Sequence, residues 1–93
     1  MQTAIPPNNQ DAERSVLGAM LQDQEAALLA LELLVPEAFY APAHKEIFDA
    51  ITALQRLGRR ADLITVDEEL SRRGTLEGVG GTEYLISLTQ YVP

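Results

Sequence analysis

Apolar residues recur every three or four positions along most of the chain, between short polar breaks, which is the pattern of amphipathic helices. The first such segment covers about residues 10–21. Asn9 is placed to cap it, and Asp11 and Glu13 stand where the positive end of the helix dipole favours carboxylates. The predicted inner face of this helix consists of Ala12, Val16, Ala19 and Met20, with Leu17 beside them.

Two further helices are predicted in the middle of the chain. Asp23 is a candidate cap for a helix that contains residues 26–31. Because this segment is apolar nearly all round, we expect its neighbours to enclose most of it. After a short turn, the longest helix is predicted over about residues 43–57, and Gly58 can end it in the left-handed conformation. The apolar stripe of this helix consists of Ile47, Phe48, Ile51 and Leu54.

The last third of the chain contains two more helical segments. Thr65 and Glu68 fit a capping box, in which each side chain accepts from the other residue's backbone, so a helix is predicted to start there and to end at Gly74. Residues 75–81 contain three glycines and are predicted to form a loop. A final helix starts near Thr82, and its apolar stripe consists of Tyr84, Leu85, Leu88 and either Tyr91 or Val92.

The fold class follows from these segments. The strand-like run at residues 63–66 is brief and has no second run with which to pair. We therefore predict an all-α fold, a compact bundle of about six helices. Ninety-three residues, 46% of them apolar and 23% charged, fit one small globular domain.

The composition bears on membrane association and on the cellular compartment. No apolar run approaches the ~20 residues that span a bilayer, and no basic-then-apolar leader opens the chain, so we expect no membrane association. The chain has no cysteine, which excludes disulfides and thiolate metal sites and suits the cytoplasm.

The charge distribution indicates which kinds of partner the domain can bind. The net charge is −7; residues 1–34 carry five acids and one base, residues 35–61 three acids and four bases, and residues 62–93 six acids and two bases. Because nucleic-acid affinity depends on neutralising phosphates, we expect no direct DNA binding from so acidic a domain. The acidity fits either a basic protein partner or solubility alone.

Little in the sequence points to catalysis. Residues 78–82, Gly-Val-Gly-Gly-Thr, imitate a phosphate loop but lack its lysine and a preceding strand, so we interpret them as a turn. The single histidine, His44, is interpreted as a residue near a helix start that hydrogen-bonds locally and helps to dock the Phe39–Tyr40 turn. The pairs Asp11/Glu13 and Glu68/Glu69 are interpreted as ordinary first-turn helix carboxylates. We therefore predict no catalytic residue, no bound cofactor and no metal site in this stretch.

Tyr84 and Tyr91 are seven positions apart and so fall on nearly the same face of a helix. Tyrosine is common in the centres of protein interfaces, but it also completes small cores. Periodicity alone leaves both readings open.

Three stretches carry a resemblance to a known family. They are Ile5-Pro6-Pro7 with the helix that follows, the run from Glu37 to Phe48 with its Phe-Tyr, Pro-x-His and Ile-Phe pairs, and the run from Asp62 to Leu85. In this order and spacing, over about residues 5–93, they resemble the N-terminal domain of bacterial replicative DNA helicases of the DnaB family. One departure is that Arg60-Ala61 stand where the family commonly has a proline before the Asp62 position.

The resemblance implies an organisation and a function. Residues 1–9 correspond to an N-terminal extension and residues 10–93 to the helical domain, which the family continues into a helical hairpin, a linker and an ATPase domain. The parent protein would be a cytoplasmic, hexameric, ATP-dependent DNA helicase, with ATP and Mg in the ATPase domain. The N-terminal domain would form a collar that helps assemble the ring and recruits primase into the primosome. Without the hairpin we expect a monomer or a weak dimer.

The resemblance also implies partner residues. The family's N-terminal domain docks the primase C-terminal domain, and positions tied to that contact match Asp11 and Tyr84. Asp11 stands where the family usually has glutamate, which keeps the charge but shortens its reach. A helicase loader is a further candidate partner. The alternatives are a generic all-α protein-binding adaptor unrelated to replication and a small hydrolase built on His44 or Glu68.

Overall fold

Helix signals in the sequence become helices in the structure, a computed structural model that describes residues 9–92. Over this range the chain forms six α-helices, one 3-10 helix and no strand, which confirms the predicted all-α bundle. The elements in order are α1 (Gln10–Gln22), α2 (Gln24–Leu33), a 3-10 helix (Pro36–Ala38), α3 (Pro42–Arg56), α4 (Leu63–Arg73), α5 (Leu76–Val79) and α6 (Gly81–Thr89). The predicted extension lies outside the described residues except for Asn9, and so does Pro93.

Local capping chemistry sets the first helix boundaries. The Asn9 side chain accepts a hydrogen bond from the Ala12 backbone N–H at 3.0 Å, so the predicted cap of α1 is confirmed. Asp23 caps α2 by accepting from the Glu25 N–H at 3.0 Å. After α3 the chain turns at Gly58, whose φ of +74° is the left-handed conformation that glycine adopts without a Cβ penalty.

The predicted start of α4 at Thr65 is wrong. Asp62 is the N-cap: its side chain accepts from the Thr65 N–H at 2.9 Å, and the Thr65 hydroxyl oxygen accepts from the Asp62 N–H at 2.9 Å. The capping box is real, but it lies three residues earlier because Thr65 is its third helical residue and not its cap. The strand-like run at residues 63–66 is therefore the first turn of a helix.

Residues 75–81, predicted to form a loop, contain the single turn of α5. Val79 within it is only 6% exposed. The glycines on either side permit the sharp bends, and burial of Val79 supplies an ordering contact that local composition does not reveal.

The core lies where α1, α3, α4 and α6 meet. Ile47, Ile51 and Leu54 of α3 are fully buried, which confirms the predicted stripe. Phe48 beside them packs on Phe39, with ring centroids 5.0 Å apart. The other large core side chains are Leu17, Met20, Val66, Leu70, Leu85 and Leu88.

The inner face of α1 is rotated from the predicted one. Ala19 is exposed, and Ala12 and Val16 are only partly buried. The buried face consists of Glu13, Leu17, Gly18, Met20 and Leu21. The prediction missed this orientation because it used apolar residues only, and one residue of the buried face, Glu13, is charged.

The prediction that neighbours enclose α2 is wrong. Only Ala27 is fully buried, whereas Leu28, Leu29 and Leu33 are 48%, 57% and 52% exposed. The reason is that α2 packs mainly on α1 at the edge of the bundle, so one side of it has no neighbouring helix among the described residues.

An ion-pair network joins α3 to α4. Arg73 donates to Glu69 at 2.8 Å, to Asp49 at 2.9 Å and to Glu46 at 3.1 Å. Arg72 donates to Glu69 as well, at 2.7 Å. Hydrogen bonds from Arg72 and then Arg73 lower the pKa of Glu69 to about 2. Glu69, interpreted from the sequence as an ordinary first-turn helix carboxylate, is in fact 8% exposed and part of this tertiary contact.

The close approach of α1 and α6 gives a testable prediction. A Cβ added to Gly18 would overlap the backbone carbonyl of Leu88, which cannot move away without shifting α6. We predict that Gly18→Ala lowers the free energy of unfolding by about 2 kcal/mol, measured by urea denaturation.

Gly78→Ala is the matched control, since a Cβ there meets nothing within 4 Å and the residue lies in α5. It should leave stability unchanged or raise it by about 0.5 kcal/mol. Equal stability of the two variants would contradict the packing argument.

Candidate protein-binding surface

The carboxylate of Glu13 lies inside the domain. Its side chain is 0% exposed, so the interpretation of Glu13 as a mere first-turn helix carboxylate is wrong. It accepts hydrogen bonds from the Tyr40 N–H at 2.7 Å and the Ala41 N–H at 3.4 Å, and its Oε1 lies 2.7 Å from Nδ1 of His44. Glu13 thus joins α1 to the chain segment that precedes α3 and to α3 itself.

Opposing effects set the charge of Glu13. Burial raises the pKa of this carboxyl, but hydrogen bonds from the Tyr40 N–H, His44 and the Ala41 N–H outweigh burial and hold the pKa below its usual range. The group is therefore an ionised carboxylate at neutral pH, and an ionised carboxylate only accepts hydrogen bonds. Nδ1 of His44 must carry the proton of their shared bond.

His44 connects Glu13 to α6. Its ring is 1% exposed, and Nε2 lies 2.5 Å from the hydroxyl oxygen of Tyr84. The two rings are nearly parallel, at 13°, with centroids 5.9 Å apart. This short contact joins α3 to α6 through the polar atoms of the two rings. His44 does help to dock the Phe39–Tyr40 turn, through Glu13, but its side-chain partners lie 31 and 40 residues away and are not local.

Arg14, the next residue of α1, lies on the outside of the same helix contact. Its guanidinium is 2.5 Å from the Asp11 carboxylate and 5.4 Å from the centre of the Tyr91 ring. Arg14 also lies near the Tyr84 hydroxyl, whose pKa it lowers. Asp11, Arg14, Tyr84 and Tyr91 together are called the α1–α6 surface below.

The two residues singled out in the sequence both lie close to Arg14. Asp11 is exposed at the start of α1, and Tyr84 is half-buried in α6. Burial raises the pKa of Tyr84, and Arg14 pulls it only partly back, so the phenol is protonated at neutral pH. The surface presents a carboxylate, a guanidinium and two tyrosine rings side by side.

Sequence reasoning missed Arg14 and the burial of Glu13. A signal for Glu13 was available: it precedes Leu17 by four residues and so lies on the same face of α1 as that fully buried side chain. No comparable signal marked Arg14, because its partners on α6 are set by how the two helices cross.

Two grooves lie elsewhere on the domain. One, of 390 Å³, lies between the end of α2 and α3 and is lined by Leu31, Leu34, Val35, Pro36, Phe48, Thr52, Gln55 and Arg56. The other, also of 390 Å³, lies at residues 80–82, and the carboxylates of Glu77 and Glu83 line it, which disfavours an anion there.

Residues 9–92 include no group of three or more His, Asp or Glu side chains arranged to hold a metal ion. Across the part of the chain that the structure describes, no helix has both the length and the apolar content to cross a membrane.

Comparison with known proteins identifies the family of this chain. The sequence model of the DnaB-like helicase N-terminal domain matches residues 5–93. The chain belongs to this family. Membership confirms the resemblance seen in the three sequence stretches.

Individual relatives agree. The chain is 46% identical over 89 residues to the replicative DNA helicase DnaB of Treponema pallidum, covering 96% of this chain and 20% of that protein. It is 51% identical over 88 residues to the replicative DNA helicase DnaB of Rhodothermus marinus, covering 95% of this chain and 9% of that protein. The chain thus spans a fifth or less of the length of these two relatives.

A solved structure matches the fold. The crystal structure of the N-terminal domain of DnaB helicase from Mycobacterium tuberculosis superposes with a TM-score of 0.89 at 47% sequence identity. The match covers 96% of this chain and 64% of that one. The fold of this DnaB-family domain is therefore shared with an experimentally determined relative.

The buried carboxylate of this DnaB-family domain yields a prediction. Glu13→Gln removes the charge and turns an amide N–H₂ toward groups that themselves donate, so one buried donor loses its acceptor. We predict a loss of about 3 kcal/mol in the free energy of unfolding at pH 7. Glu32→Gln, a change of an exposed acid on α2, is the control and should cost less than about 0.5 kcal/mol.

The same carboxylate has a pH signature. Because the folded-state pKa of Glu13 lies below its ordinary value of 4.5, its contribution is complete above pH 4.5 and is lost as pH falls through the folded pKa. The stability gap between wild type and Glu13→Gln should therefore narrow below pH 4.5 in urea titrations. A gap that widened in acid would contradict an ionised Glu13.

Proposed function

We propose that this domain is the N-terminal collar domain of a hexameric, ATP-dependent replicative DNA helicase of the cytoplasm, where it serves ring assembly and recruits primase. Its own contribution is binding, while ATP and Mg act in an ATPase domain beyond these residues. Family membership supports the proposal, as do the relatives, which are replicative DNA helicases. A helicase loader is a further proposed partner.

One observation carries the proposal of primase recruitment: Arg14 links Asp11 of α1 to the α6 side of the domain. Its guanidinium pairs with Asp11, lies over the Tyr91 ring and acts on the pKa of Tyr84. Tyrosine and arginine side chains that remain partly exposed are frequent anchors in protein interfaces. The α1–α6 surface thus has the composition of a docking site for a folded protein domain.

Charge supports a protein partner over DNA. The net charge of −7 repels phosphates, and the acids outnumber the bases by five to one in residues 1–34, which include α1. Complementary charge speeds association and selects partners, so a basic surface on the primase C-terminal domain would fit.

A prediction concerns self-association. Because the helical hairpin that the family uses in its collar is outside these residues, the 93-residue chain should be a monomer or a weak dimer. Static light scattering over a concentration series measures this directly. A stable hexamer of the chain alone would overturn the proposed dependence on the hairpin.

The docking surface can be tested by substitution in the full-length helicase. We predict that Tyr84→Ala and Asp11→Ala each weaken capture of the primase C-terminal domain, Tyr84→Ala by about tenfold or more, since truncation of an anchor costs at least ~1.4 kcal/mol. Biolayer interferometry gives the dissociation constants, and thermal unfolding checks that the variants are folded.

Ile86→Ala is a matched control on α6. Ile86 is 38% exposed and lies two positions from Tyr84, hence about 200° around the helix. The Ile86→Ala variant should bind primase as tightly as the wild type does. Undiminished capture by both Tyr84→Ala and Asp11→Ala would refute this surface as the primase site.

A further inference from the structure

The α1–α6 surface offers hydrogen-bond acceptors that a partner can use. Asp11 is an exposed carboxylate and only accepts. The Tyr84 hydroxyl oxygen lies 2.5 Å from Nε2 of His44, which the buried Glu13 holds in place. A phenol oxygen can accept as well as donate, so it can accept a hydrogen bond from a partner on its outer side.

In the free domain Arg14 lies at these acceptors. Its guanidinium donates to Asp11 and lies over the Tyr91 ring, near the Tyr84 hydroxyl. The Arg14 side chain is 31% exposed and that of Asp11 is 71% exposed, so the pair lies at the surface where an incoming side chain can reach it. Pairs this exposed are worth little, about 0.2–1 kcal/mol, and exchange readily.

The surroundings favour a cation at this place. Arg14 is the only basic residue among residues 1–34, against five acids. The charged groups that face the site are Asp11 from the same helix and, behind Tyr84, the buried carboxylate of Glu13, whose charge also acts on the phenol. A guanidinium or ammonium is the chemical group that satisfies a carboxylate, a phenol oxygen and a tyrosine ring together.

We infer that Arg14 is an internal stand-in for a cationic side chain of the partner, which displaces Arg14 and binds Asp11, the Tyr84 oxygen and the Tyr91 ring. The inference rests on the proposed function and deepens it by naming the chemistry of the contact. The partner presents an arginine or a lysine here, and Arg14 competes with it.

Because Arg14 competes with the partner's cation, we expect its removal to strengthen binding, which is unusual for a residue in a binding site. In the full-length helicase, Arg14→Gln frees the acceptors and removes a like charge that faces the partner. Binding of the primase C-terminal domain should become about two- to fivefold tighter at low ionic strength, as measured by biolayer interferometry. The gain should shrink at about 500 mM salt, where the screening length is only a few ångströms.

Two further variants separate the local effect from a general one. Arg56→Gln makes the same change of charge at an exposed position at the end of α3, away from the α1–α6 surface, and should not tighten binding. Arg14→Gln combined with Asp11→Asn should lose the gain, because the freed acceptor is then neutral. Thermal unfolding of each variant shows that it is folded.

Each outcome decides the matter. A gain for Arg14→Gln alone supports the inference. Unchanged or weaker binding overturns it, weaker binding because Arg14 is then itself an anchor for an acidic partner. An equal gain for Arg56→Gln also overturns it, because net charge would then be the cause.

The failure of the inference is distinguishable from that of the proposed function. If Asp11→Ala and Tyr84→Ala weaken capture while Arg14→Gln does not strengthen it, the surface binds primase but Arg14 does not compete. If neither alanine variant weakens capture, the proposed site is wrong, and the inference fails with it.

Discussion

The buried carboxylate of Glu13 is the interaction on which the arrangement of this domain depends. A charge enclosed at 0% exposure is costly, and three hydrogen bonds, two from backbone N–H groups and one from His44, compensate for it. Those donors come from the segment that precedes α3 and from α3 itself, so satisfying one side chain of α1 fixes how these elements meet. Through His44 the same bond set reaches Tyr84 and thereby orients α6.

Structure and binding chemistry share one helix contact. Glu13 and Arg14 are consecutive in α1, and the helical turn directs one into the core and the other to the surface. Glu13 holds His44, whose Nε2 lies 2.5 Å from the Tyr84 hydroxyl. Arg14 lies on the outside, over the Tyr91 ring. The position of the Tyr84 hydroxyl in the α1–α6 surface therefore depends on a buried carboxylate.

A thin core needs support at its edges, because a chain of this size buries a modest share of its surface. The network around Arg73 supplies some of it by joining α4 to Glu46 and Asp49 of α3. By contrast, α2 has contacts on one side and exposes three leucines on the other. Stability is concentrated in α1, α3, α4 and α6, the helices that also form and support the α1–α6 surface.

The sequence by itself determined every α-helix except α5, most of the caps and the family, because capping and periodicity act over three or four residues and motifs are read in order along the chain. Asp11 and Tyr84 were reached through that resemblance. Only the tertiary structure decided which partners the Glu13 carboxylate has, that α2 is open to one side and that Arg14 lies over the Tyr91 ring. These facts depend on how elements far apart in sequence pack together, and a local pattern holds no information about that geometry.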